Sequence, residues 1–285
     1  MIGITGASGQ LGQLVIENLL KLGVEPNKIV AIARTTEKLS DFSKKGVVVR
    51  FGDYNDSKSL DEALDGIEKL LLISSSEVGQ RLPQHKNVID VVKRKSHIKQ
   101  FIYTSLLHAD KSPLGLAKEH IQTEKLINEI ETPSTILRNG WYSENYIMGI
   151  PTVLEHSAVV GCAKEGKISS ATRNDYALAA AKVLIEKGHE GKVYELAGDS
   201  SYSLNDFAKM IGDQFKKDVI YKNLSQSDYK SVLLEAGLPD EISDMLADSE
   251  AGAANGGLYD NSKTLSELIG RPTEPMEITL LNLSR

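Results

Sequence analysis

One cysteine, Cys162, stands in a chain of 285 residues, so no internal disulfide can form and no cysteine-built zinc or iron–sulfur cluster fits within one chain. A reducing, cytoplasmic compartment is the expectation. Aromatic residues are scarce, 6% of the chain with a single Trp, and positive charge is not in excess. The 33 Lys and Arg stand against 39 Asp and Glu, a net charge of −6, which argues against nucleic acid or an anionic membrane as the main partner. The longest apolar stretches, such as Leu70-Leu71-Leu72-Ile73, are far too short to span a bilayer. Met1-Ile2-Gly3-Ile4 runs straight into an apolar strand, with neither the basic lead nor the cleavage site of a secretory signal. What remains, 41% hydrophobic and 25% charged residues, is the composition of a globular protein able to bury a sizeable core.

The first half alternates short apolar runs with helix-period segments. Strands are predicted over Ile2–Thr5, Ile29–Ala33, Val47–Phe51, Lys69–Ile73, Gln100–Thr104 and Ser134–Arg138, with helices over Leu11–Leu22, Ser57–Leu64, Arg81–Lys95 and Lys118–Ile130. Glu37–Lys44 is a weaker helical stretch. Continuous apolar strands alternating with helices predict an α/β fold, a Rossmann-type doubly wound parallel sheet built from right-handed crossovers. After Gly140 the rhythm breaks, and Trp141–Ile150 reads as irregular. A helix over Tyr176–Lys187 and a strand over Lys192–Leu196 return to the sheet. Ser203 with Asp206 three residues on predicts a capping box opening a helix over Leu204–Phe215. The remainder, with Tyr229–Ala236 and the glycine-rich run Gly252–Gly257, reads as helices and loops. The expected division is residues 1–148 with 173–200 as a dinucleotide-binding domain, and 149–172 with 201–285 as a smaller, mostly helical substrate lobe.

Gly6-Ala7-Ser8-Gly9-Gln10-Leu11-Gly12 lies where the first strand turns into the first helix. In a G-x-x-G-x-x-G loop the first glycine permits the tight turn and the second lets backbone approach a pyrophosphate. The third lets the helix pack closely on the sheet, with its N-terminus toward the anion. A glycine triplet alone is only a tight turn; its place between a strand and a helix at the head of a βαβ series makes it a dinucleotide loop. The second strand then selects the cofactor. A site for NAD places an acid at its end to accept from the ribose 2′-hydroxyl, but this strand ends Ala33-Arg34-Thr35-Thr36 with no acid. Arg34 can fork onto a 2′-phosphate, so NADP(H) is expected. Asp53 follows the third strand near the expected adenine position, and is equally a turn or cap residue. Ser74, Ser75 and Ser76 end the fourth strand and Ser105 the fifth, at the carboxyl edge where open α/β sheets bind ligands.

The proton-transfer pair of short-chain dehydrogenases, Tyr-x-x-x-Lys on the helix after the fifth strand, is missing there. Tyr54…Lys58 and Tyr259…Lys263 match the string at the wrong places, and Ile121 stands four before Lys125 on the expected helix. The six histidines show no ligand spacing, so no metal site is expected, and neither a P-loop nor a G-x-S-x-G elbow occurs. His120 and His108 could donate protons but read better as structural, and Cys162 reads as a small core residue. No catalytic residue is assigned.

The loop Gly6–Gly12, Arg34, the run Glu68 to Arg81 through Ser74-Ser75-Ser76, and Tyr103 to Asp110 together resemble the NmrA-like atypical short-chain dehydrogenases. So do Leu137-Arg138-Asn139-Gly140-Trp141-Tyr142-Ser143-Glu144-Asn145 and Gly191 to Asp199. The likeness runs nearly end to end, and the set resembles the family's bacterial quinone reductases. It implies an NADPH site formed by the glycine loop, Arg34, Ser74–Ser76 and the segment Arg138, Asn139, Gly140, Trp141, Tyr142 and Ser143. It also accounts for the missing Tyr-x-x-x-Lys. Two activities are compatible with it: direct two-electron hydride transfer from NADPH to a small-molecule quinone in a cleft beneath the second lobe, or a non-catalytic sensor that binds NADP(H) and reports its state to a partner protein. Quinone reduction needs little acid catalysis, and Trp141 and Tyr142 would then form an apolar wall or simply belong to the core.

Overall fold

The short apolar runs of the first half become strands in the computed structural model, which describes residues 1–283. In chain order they and their helices are β1 (Ile2–Ile4), α1 (Gln10–Lys21), β2 (Ile29–Ala33), α2 (Ser40–Lys44), β3 (Val48–Phe51), α3 (Ser57–Ala63), β4 (Lys69–Leu72), α4 (Arg81–Arg94), β5 (Gln100–Leu106), α5 (Ala117–Asn128) and β6 (Ser134–Asn139). The weak stretch before the third strand divides into a 3-10 turn over Thr36–Leu39 and the short α2. Then follow α6 (Ser143–Ile147), α7 (Ile150–His156), β7 (Ala158–Gly161), α8 (Arg173–Ile185), β8 (Val193–Leu196), α9 (Leu204–Phe215), β9 (Ile220–Asn223), α10 (Gln226–Glu235), α11 (Asp240–Ala253), α12 (Thr264–Ile269) and α13 (Met276–Leu283).

Seven strands form one sheet in the order β3-β2-β1-β4-β5-β6-β8. The pairings from β3 to β6 are parallel, with Ile2 beside both Ile29 and Lys69. The hydrogen bonds from Ile136 N–H to the Lys192 carbonyl and from Gly140 N–H to the Leu196 carbonyl advance together along both strands, so β8 joins β6 in parallel. Successive crossovers run one way from β1 and the other way from β4, so the switch point, where such sheets bind ligands, lies between these two strands. All five residues of β2 and all seven of β5 are buried, as strands covered on both faces must be. Ile32, Leu60, Leu64, Leu70, Leu72, Ile89, Phe101 and Tyr103 build the core on one face. On the other, α8 lies on α1, and Asn18 Nδ2 donates to Asn174 Oδ1 at 3.1 Å.

The chain divides into two compact units. The first comprises Met1–Leu106, Lys118–Asn139 and Arg173–Tyr194; the second comprises Leu107–Ala117, Gly140–Thr172 and the chain from Glu195 on. In the second unit β7 and β9 pair in parallel, with Ala158 beside Ile220. The capping box at α9 forms as expected: Ser203 Oγ accepts from Asp206 N–H, and the Asp206 carboxylate accepts from Ser203 N–H.

Two expectations need correction. Residues 141–150 are not irregular: α6 forms there, and α7 begins at Ile150 with Pro151 in its first turn, where a missing N–H costs nothing. The second unit also has its own strands. β7 and β9 are four residues each and β9 is largely exposed, so neither carries the apolar alternation that announces a strand. Among the described residues no helix is long and apolar enough to cross a membrane.

Candidate functional site

The loop after β1 is shaped by its glycines. Gly6 has φ +61°, a left-handed conformation that glycine adopts without strain. A Cβ on Gly12 would lie 2.6 Å from the Gly6 carbonyl oxygen and 2.7 Å from Ala7 Cα, so only glycine lets α1 begin so close to the strand it follows. A Cβ on Gly9 would meet that same oxygen at 3.3 Å. Gly9 is the N-cap residue of α1, no side chain caps the helix, and its first turn holds no acid. The backbone N–H groups of that turn are therefore left for an anion. Ala7 and Leu11 are buried, while Gly9 and Gln10 are exposed. Ala7 N–H donates to the Ile32 carbonyl, and Gln13 Nε2 donates to the carbonyl of half-buried Ser8, which pins the loop. This cradle fits the pyrophosphate of a dinucleotide.

Beside it, Arg34 follows β2 with its side chain 56% exposed and pairs with Glu77 of the β4–α4 loop, Nη1 to Oε1 at 2.8 Å. Asp53 takes its turn role: its Oδ1 accepts from Asn55 N–H, and its own N–H donates to Ser59 Oγ. The Tyr54 hydroxyl donates to Thr5 Oγ1 or to the Ile73 carbonyl, at 2.6 and 2.8 Å, and burial raises its pKa well above the ordinary range. Tyr54 thus ties the ends of β1 and β4 together, which gives it a structural task outside any Tyr-x-x-x-Lys pair.

The three serines after β4 are treated differently. Ser74 N–H donates to Thr104 Oγ1, and Ser76 is exposed. Ser75 is buried: its N–H donates to His85 Nε2, its carbonyl accepts from Arg81 Nε, and its Oγ accepts from Glu77 N–H. Because His85 Nε2 accepts, its Nδ1 carries the proton and donates to Thr123 Oγ1 at 3.0 Å. Burial, reinforced by the Arg81 charge, lowers the His85 pKa to about 3, so the ring stays neutral. Glu119 on α5 completes the support by accepting from Gly79 and Leu82 N–H. His85, Arg81 and Glu119 thus hold the loop that carries the serines.

At the ends of β5 and β6 the polar side chains pair with one another. Ser105 Oγ donates to Glu124 Oε1 at 2.5 Å, and Arg138 forks onto the same carboxylate, Nε to Oε1 at 3.0 Å and Nη2 to Oε2 at 2.7 Å. Ser105, Glu124 and Arg138 are all buried. Their contacts make them the joint between α5 and the sheet. His120 is structural as well: burial holds its pKa well below the ordinary value, and its Nδ1 lies 2.7 Å from the buried Tyr103 hydroxyl. Asn139, 5% exposed, differs. Its Oδ1 is buried and has no hydrogen-bond partner, an orphaned acceptor at the end of β6.

Gly140, Trp141, Tyr142 and Ser143 belong to the second unit. Gly140 N–H donates to the Leu196 carbonyl, the Trp141 carbonyl accepts from Ala171 N–H, and Tyr142 forms a bridge with Ala171. Ser143 is fully buried, with its Oγ 2.9 Å from Ser170 Oγ. In the same unit His108, at φ +53°, sits between two carboxylates, 3.4 Å from Glu195 and 3.3 Å from Asp260. Among the described residues no cluster could hold a metal ion. Sequence reasoning missed Glu77, His85, Glu119 and Glu124. Each acts on a partner distant in the chain, and only Glu124, an acid one helical turn from His120, offers even a local hint.

The chain is similar to known proteins over its whole length. Residues 1–274 match the model of the NmrA-like family. Quinone oxidoreductase 2 of Escherichia coli is 56% identical over 99% of this chain and 98% of its own length. The crystal structure of an NADPH-dependent quinone oxidoreductase from Escherichia coli complexed with NADPH superposes with a TM-score of 0.97 at 55% identity, covering all of both chains. That of the Citrobacter sp. triphenylmethane reductase complexed with NADP(H) gives 0.95 at 35% identity, again over all of both chains. With its parallel sheet, its glycine cradle and an arginine in place of an acid after β2, the chain belongs to the NmrA-like family.

Proposed function

We propose that this protein is an NADPH-dependent reductase that converts a quinone to its hydroquinone in one two-electron step. The observation that carries the reading is the 56% identity, end to end, to a quinone oxidoreductase. The glycine cradle and Arg34 agree with it. When bound, NADPH supplies a hydride from C4 of its nicotinamide, and a proton from solvent completes the hydroquinone.

The chain's part is to bind, orient and exclude water. Gly6, Ala7, Ser8, Gly9, Gln10, Leu11 and Gly12 hold the pyrophosphate on the open N-terminus of α1. Arg34 takes the 2′-phosphate, and its sign there favours NADPH over NADH. Ser74–Ser76 border the cofactor from a loop made rigid by His85, Arg81 and Glu119. Asn139 Oδ1, a buried acceptor in want of a donor, suits the carboxamide N–H of the nicotinamide. Holding donor and acceptor rings in near-attack geometry supplies the rate, so no tyrosine relay is required. We assign the protein to the cytoplasm, where a lone buried thiol stays reduced.

The test is steady NADPH oxidation with a small benzoquinone, repeated with NADPH deuterated at C4. Turnover with loss of deuterium from the cofactor is expected. Tight NADPH binding without turnover of any quinone tried would overturn the enzymatic reading in favour of a sensor.

A further inference from the structure

Arg34 has an acidic partner of its own in the chain. Its Nη1 lies 2.8 Å from Glu77 Oε1, and Glu77 is no loose surface acid. Its other oxygen accepts from Gln84 Nε2 at 2.7 Å, and Gln84 is 2% exposed, anchored in the first turn of α4. Its backbone N–H donates to Ser75 Oγ. A buried amide below and a serine behind thus hold the carboxylate where it meets the guanidinium. A guanidinium presents its donors in one rigid fork, so a carboxylate on Nη1 takes donors that a phosphate would need. A second anion brought to that fork would also stand beside the carboxylate, where like charges repel.

We propose that Glu77 is the built-in competitor of the cofactor's 2′-phosphate, a specificity-determining residue that lowers NADPH affinity and narrows the NADPH-over-NADH preference Arg34 creates. The inference rests on the assignment of Arg34 to that phosphate. NADPH binding then exchanges one anion for another at Arg34 and frees Glu77, whereas NADH leaves the pair intact. Discrimination is a difference of two affinities, and Glu77 acts on only one of them.

The test is calorimetric titration of NADPH, NADH and adenosine 2′,5′-bisphosphate into wild type, Glu77→Gln, Arg34→Ala and the double variant, with no quinone present. Glutamine keeps the shape and the Gln84 contact but removes the charge. Glu77→Gln is expected to tighten NADPH and the bisphosphate roughly three- to tenfold, the scale of a half-exposed ion pair, and to leave NADH within about twofold. In the Arg34→Ala background the same change should move NADPH by less than about twofold, because the competition is lost with the arginine. Unchanged or weaker NADPH binding by Glu77→Gln, or equal tightening of NADH, overturns the proposal while leaving the Arg34 assignment standing. If Arg34→Ala itself leaves the ratio of NADPH to NADH affinity unaltered, the Arg34 assignment fails and the proposal with it.

Discussion

In the first unit the buried charge at the strand ends is fully matched: Arg138 forks onto Glu124, and Ser105 donates to the same carboxylate. In the second unit the buried carboxyl of Glu250 meets a backbone N–H at Cys162, 2.9 Å away, and the Tyr229 hydroxyl at 3.4 Å. Burial raises the Glu250 pKa to about 7, against the smaller opposing pull of those two hydrogen bonds. Burial, with the Glu250 charge behind it, pushes the Cys162 thiol up to about 12. A buried carboxylate that accepts from two side chains on neighbouring strands is a rigid joint, which suits a framework that must present fixed donors to an anion. A buried acid without a cation stays protonated only up to neutrality, and its unit answers to pH.

The largest effect that tests this contrast is at the loop. A side chain at Gly9 would fill the space a pyrophosphate needs, so Gly9→Val should abolish NADPH binding in a titration while the circular dichroism stays native. Normal binding by that variant would reduce the loop to a turn. Next is the matched pair. Glu124→Ala removes the buried carboxylate that accepts from both Arg138 and Ser105 and should cost about 3–5 kcal/mol in denaturant unfolding. A loss below about 1 kcal/mol would mean that the first unit does not depend on the pair.

The second unit should respond to pH instead. A carboxyl whose folded pKa is raised contributes stability that is whole below its unfolded value near 4.5 and is lost as pH climbs through about 7. The wild type should therefore lose up to about 3 kcal/mol over that window, and Glu250→Gln, which keeps an acceptor for Cys162 N–H, should flatten the dependence. Equal slopes in thermal unfolding would remove Glu250 as the cause. A smaller effect is due at Tyr54. Its hydroxyl ties β1 to β4, so Tyr54→Phe should cost on the order of 1 kcal/mol of stability yet retain most of kcat. A thousandfold fall in kcat with folding intact would make it a working acid.

The contrast also divides what could be read from the sequence. Apolar runs buried on both faces announce themselves, so β1 to β6 lie within a residue or two of their predicted bounds, and Ser203 with Asp206 marked the start of α9 to the residue. The glycine loop was legible because backbone geometry, not a distant partner, demands its glycines. The pairs were not: Arg34 with Glu77, Arg138 with Glu124 and His85 with Thr123 join elements that only the fold brings together. In the second unit β7 and β9 were missed because four-residue strands that pair only with each other need no pattern beyond their neighbour.

The account turns on the first unit holding an anion that NADH lacks, and the affinities of NADPH and NADH for wild type and Arg34→Ala measure that directly. Removing a charge-assisted contact of roughly 1.5–3 kcal/mol should weaken NADPH by about ten- to a hundredfold while NADH hardly changes, erasing the preference. Equal affinity of the wild type for the two cofactors, or a preference that survives the loss of Arg34, would contradict it.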